Sequence, residues 1–93
     1  MYIDGYKYAV ISTATTTTVK SNPGKLHAII VNTKGTVAST VTVYDALTAT
    51  GTPFAEIDSL NLYGPFEYDI DFKVGLTIVT TGTVAPNITV SYQ

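Results

Sequence analysis

The segment Phe66-Glu67-Tyr68-Asp69-Ile70-Asp71-Phe72 decides the fold class. Phe66, Tyr68, Ile70 and Phe72 occupy one parity, and Glu67, Asp69 and Asp71 the other. Strict period-two alternation describes a strand with one dry face and one wet face. Gly64-Pro65 before it and Gly75 after it mark its ends. The short link Lys73-Val74-Gly75 leads into Leu76-Thr77-Ile78-Val79-Thr80, which predicts a hairpin of the two strands.

The same reading extends in both directions. Asn87 to Tyr92 places Ile88, Val90 and Tyr92 on one face, with Pro86 just ahead, where its missing donor costs little. Leu26 to Val31 alternates Leu26, Ala28 and Ile30 against His27, Ile29 and Val31. Both faces are apolar, so this strand is expected to be covered on both sides. Ser39 to Tyr44 sets Val41 and Val43 against Thr40, Thr42 and Tyr44, Asp45 to Pro53 reads as a loop, and Phe54 to Ile57 as a short strand. Lys7 to Ser12 and Thr15 to Lys20 are one bent strand or two. No segment has the length and periodicity of a stable helix. Seven to eight short strands at such spacing predict a single all-β domain, an antiparallel β-sandwich of jelly-roll or Ig-like type. Residues 1–12 are its N-terminal arm or first strand, and 13–93 the sandwich itself.

Composition agrees. The chain has 93 residues, enough for one core. Hydrophobic residues make up 45% and charged residues 13%, about half the usual share. Thr, Val and Ile dominate, side chains that suit a pleated surface. A weakly charged, Thr-rich surface is poorly protected against association. Cysteine is absent, which excludes a disulfide scaffold and a thiolate metal site. With five lysines, no arginine and a net charge of −2, a phosphate-binding footprint and hence a nucleic-acid partner are not expected. No apolar run is long enough to span a bilayer as a helix. The first residues lack the basic and apolar regions of a signal peptide, as expected of an intact, unexported chain.

The inventory for catalysis is short. His27 is the one histidine, and no serine lies in a strand–turn–helix elbow, so His27 is read as a strand side chain at a face or interface. No catalytic residue, metal site or cofactor is assigned, and the chain is expected not to be an enzyme. Glu67, Asp69 and Asp71 lie ~7 Å apart along their strand. They are read first as a solvated face, which on an edge strand discourages unwanted pairing. A partner contact, Ca²⁺ binding and glycoside hydrolysis are the other uses of such spacing. Asp45, Glu56 and Asp58 are turn or strand-edge residues, and Asn87-Ile88-Thr89 is a chance match to a glycosylation acceptor. Tyr2, Tyr6 and Tyr8 fall on one face of an extended segment and form the candidate partner interface.

Pro23 to Thr33, Tyr68 to Val79 and Asn87 to Tyr92, with Thr42-Val43-Tyr44-Asp45 and Thr50-Gly51-Thr52 between them, resemble small virion structural proteins of tailed bacteriophages, those that decorate or cement capsids or form head-fibre and tail-fibre domains. The resemblance spans most of 13–92 and is a pattern of strands and turns. It implies a β-sandwich, a homo-oligomer with a trimer favoured, the major capsid protein or another virion protein as partner, and a place in the virion after synthesis in the host cytoplasm. The alternative is a carbohydrate- or receptor-binding module of a fibre or tail, with Tyr44, Tyr63 and Tyr68 as its aromatic candidates.

Overall fold

The computed structural model describes residues 6–60 and 65–93. It contains eight strands and, among the described residues, no helix: β1 (Lys7–Ile11), β2 (Thr16–Lys20), β3 (Gly24–Thr33), β4 (Val41–Tyr44), β5 (Ala55–Ile57), β6 (Phe66–Phe72), β7 (Leu76–Thr80) and β8 (Asn87–Tyr92). They form two four-stranded sheets, sheet A in the order β1-β8-β3-β6 and sheet B in the order β2-β7-β4-β5. Every ladder is antiparallel.

The pairings explain the order. β1 with β8, β2 with β7, β3 with β6 and β4 with β5 are the rungs of one long hairpin folded at its middle. Adding β3 with β8 and β4 with β7 rolls that hairpin into two facing sheets. This is the jelly-roll form of the β-sandwich. Lys7–Ile11 and Thr16–Lys20 are therefore two strands, one in each sheet.

The core lies between the sheets. Leu26, Ile29, Val31, Phe72, Ile88 and Val90 from sheet A meet Val41, Val43, Ile57, Leu76 and Ile78 from sheet B, each at most 3% exposed. The alternation read in β4 and β8 holds: Val41 and Val43 are buried with Thr42 and Tyr44 half-buried, and Ile88 and Val90 are buried on the face that Tyr92 shares. Buried hydroxyls are satisfied by one another, as in the Ser39–Ser59 pair at 2.6 Å, or by backbone carbonyls, as where Thr80 donates to Thr13 O at 2.6 Å.

Three expectations change. First, β6 and β7 do not form a hairpin: β6 pairs with β3, and β7 lies in the other sheet between β2 and β4. Lys73-Val74-Gly75 crosses from sheet to sheet, held there by the Asp45 carboxylate, which accepts the backbone N–H groups of Lys73 (2.9 Å), Val74 (2.8 Å) and Gly75 (3.3 Å). Second, β3 does not keep one parity, although its outer side is covered in part, with Ala28 4% exposed and Ile30 half-buried. Its register against β8 shifts between Leu26 and Ala28, so the core face runs Leu26, Ile29, Val31, and one inserted residue changes the parity. Third, the dry face of β6 is incomplete. Phe66, Tyr68 and Phe72 pack on the core, but Ile70 is 38% exposed. Here too the register shifts, and Asp69 takes a left-handed backbone with φ 49°.

Candidate interaction face

The core register of β1 fixes what its other parity must do. Ala9 pairs with Val90 and Ile11 with Ile88, so Tyr8 and Val10 point away from the core. Tyr8 is 73% and Val10 56% exposed, and Tyr6, just before the strand, is 48% exposed. Tyr6 and Tyr8 thus belong to one exposed row with Val10, while Tyr2 lies outside the described residues.

Tyr6 is also tied to the middle of the sheet. Its ring stacks on His27 of β3, with centroids 4.0 Å apart and planes 14° from parallel. His27 Nδ1 lies 2.7 Å from Asp69 Oδ1 on β6. The left-handed backbone at Asp69 sits in the stretch of β6 where the register slips, and the carboxylate meets His27 from there. The chain Tyr6–His27–Asp69 therefore crosses the outer side of sheet A. Further along the same face, Asn32 donates to Asn87 Oδ1 (3.2 Å) and Thr89 Oγ (2.9 Å). The face combines aromatic rings, short hydroxyls and amides, with a rim of Glu67, Asp69 and Asp71, all exposed. No group of three or more metal-binding side chains occurs among the described residues.

The outer side of sheet B differs. The 45–50 loop lies over it: the Thr77 hydroxyl donates to Ala46 O at 2.7 Å, and the Thr18 hydroxyl to Leu47 O at 3.0 Å. Thr77 is fully buried although it points away from the core. The backbone N–H of Lys73 is the main reason the Asp45 carboxyl stays below the usual aspartate range; those of Val74 and Gly75 and the Lys73 charge add to this, and partial desolvation opposes it. Asp45, a turn residue by sequence, thus anchors both the loop and the crossover. Shallow open depressions flank Glu56, one lined by Thr52, Pro53 and Phe54, the other by Thr40, Thr42 and Asp58.

The aromatic candidates for sugar stacking do not share a surface. Tyr44 is on the outer side of sheet B, and Tyr68 is in sheet A with its ring against the core, where burial pushes its hydroxyl pKa up. Tyr63 lies outside the described residues. Sequence reading missed the Tyr6–His27–Asp69 contact, whose one signal was the even spacing of the N-terminal tyrosines.

Comparison with protein families, with curated proteins and with solved structures returns no match for this chain.

Proposed function

We propose that the chain is a non-enzymatic structural protein of a tailed-bacteriophage virion, decorating or cementing the capsid surface through contacts with the major capsid protein or another virion protein. The observation that carries this reading is the exposed row Tyr6, Tyr8 and Val10 at the β1 side of the outer face of sheet A. Tyrosines of this kind bury a large ring on contact and keep a hydroxyl at the wet rim. The low charge of the chain lowers the desolvation cost of such a contact. The strand-and-turn resemblance described above supplies the virion context and favours a homo-oligomer. The jelly roll is shared by capsid proteins, lectins and cupins, so the fold is an analogy and the weight rests on the face. A carbohydrate- or receptor-binding role on a fibre draws less support, because Tyr44 and Tyr68 offer no common platform.

The test is to band tailed-phage particles from cells that carry the gene and to quantify this chain in them by mass spectrometry. The expected result is many copies per particle, lost when Tyr8→Ser and Val10→Ser are combined. Particles that lack the chain overturn the proposal.

A further inference from the structure

Each sheet of an open sandwich has two edges, and edges left as flat, regular strands recruit other strands. Three of the four edges here are blunted. β6 carries Glu67, Asp69 and Asp71 and a register shift. β5 is three residues long with Glu56 at its centre. β2 has a register shift between Thr18 and Lys20, and its Thr18 hydroxyl is bound to the 45–50 loop. β1 has none of these devices. Its five residues pair with β8 in unbroken register, and it bears one charge, Lys7, at its end.

We infer that β1 is a self-pairing edge: two copies of the chain join antiparallel through β1 about a twofold axis and merge their A sheets into one of eight strands. Charge selects this pairing. With Ala9 at the axis, Tyr8 lies opposite Val10 of the second copy and Lys7 opposite Ile11. The two lysines then stand ~13 Å apart along the strands, beyond the ~10 Å screening length. The same operation on β6 sets Asp69 against Asp69 and Glu67 against Asp71, like charges directly opposite, which is unfavourable. On β5 it sets Glu56 against Glu56. The β1 pairing also brings two copies of the Tyr8–Val10 row together on one outer face.

The area sets the strength. Tyr6, Tyr8 and Val10 expose on the order of 350 Å² per copy, taking ~150–250 Å² for a whole aromatic side chain. Even with the strand ladder, this falls short of the ~1,200 Å² of a stable interface. The dimer therefore forms at high concentration, as in an assembly where neighbours are held close, and dissociates on dilution.

The inference does not rest on the virion reading, and the free chain tests it. Sedimentation equilibrium of the full chain from micromolar to millimolar concentration is expected to show the mass rising toward that of two copies. Amide exchange at the outward-facing positions of β1 slows over the same range, and no other strand edge changes. Combining Tyr8→Lys and Val10→Lys, both at exposed positions, holds the mass at one copy, whereas Val84→Lys at another exposed site leaves dimerisation intact. A single-copy mass at millimolar concentration overturns the inference. So does a trimer, or a dimer that survives the double lysine change. Should the double variant misfold, the exchange pattern of the unaltered chain still decides. None of these results bears on whether the chain is found in particles.

Discussion

The outer faces of the two sheets are finished differently. Sheet B is closed by its own chain: Asp45 pins the crossover, and Ala46 and Leu47 accept hydroxyls from Thr77 and Thr18. Sheet A has two tyrosines and a valine turned outward, with Tyr8 73% exposed. Both sheets contribute to the same core, so burial of aliphatics does not distinguish them. The difference lies in what the non-core parity is used for. On sheet B threonines fasten a loop, and the result is intramolecular structure. On sheet A the row Tyr6, Tyr8 and Val10 stays about half or more exposed, and that is the pattern of a surface made for contact.

The largest effect is expected where sheet A itself is closed. At Gly24, which opens β3, a Cβ would stand 2.1 Å from the carbonyl oxygen of Gln93 and 2.9 Å from the Phe72 ring. Gln93 also exchanges backbone hydrogen bonds with Lys25, so it has little freedom to retreat. Gly24→Ala should cost about 3 kcal/mol, read as a shift of the urea midpoint at constant slope. A loss below half of that would mean that the end of sheet A is loose and that its bare face is merely frayed.

Next in size is Asp45→Ala on the closed side. It removes a carboxylate that accepts three N–H groups, and partly solvated charge-assisted bonds of this kind suggest a loss of about 2 kcal/mol. The pH dependence has a definite sign. Because the folded pKa lies below the usual aspartate value, the contribution of Asp45 is fully present above that value and is lost as pH falls through the folded pKa. The gap in stability between the unaltered chain and Asp45→Ala should therefore be constant near neutrality and narrow on acidification. A gap that widened in acid would contradict the clamp.

A smaller change sharpens the comparison. Thr77→Val keeps the shape of a fully buried residue and deletes the hydroxyl that Ala46 and Thr18 share. It should cost about 1 kcal/mol and raise amide exchange in the 45–50 loop, since the carbonyl it served is left to water. If the loop stays protected, its grip on sheet B comes from Asp45 and from the Thr18 hydroxyl on Leu47 O, not from Thr77.

How much of this was legible follows from where each signal resides. β4, β6 and β8 declare themselves because Val41/Val43, Phe66/Phe72 and Ile88/Val90 alternate with polar residues. The bulge in β3 leaves no such mark: Ala28, Ile29, Ile30 and Val31 are apolar in either parity, so a slip by one residue costs nothing in pattern. The link Lys73-Val74-Gly75 is short enough for a hairpin, and only the distant Asp45 carboxylate accounts for the crossing. The Tyr6–His27–Asp69 chain joins residues from the start, the first half and the second half of the sequence, and nothing local foretells it. The exposed parity of β1 was readable as tyrosine spacing. The clean edge beside it needed the strand order.

The smallest effect on stability is expected where the face is bare, and it is the most informative of the series. Tyr8→Ser combined with Val10→Ser removes two side chains that are more than half exposed and belong to no buried cluster. Surface changes of this kind usually stay within about 0.5 kcal/mol. Thermal melting at low concentration should therefore match that of the unaltered chain. At high concentration the two should part, because only the unaltered chain gains from association, and its midpoint should rise with concentration. Equal midpoints at every concentration would mean that the tyrosine row contributes neither to the fold nor to self-association, and sheet A would lose the distinction drawn from its exposure. A loss of stability at low concentration would place Tyr8 or Val10 in the fold itself, and the two sheets would then differ in degree and not in use.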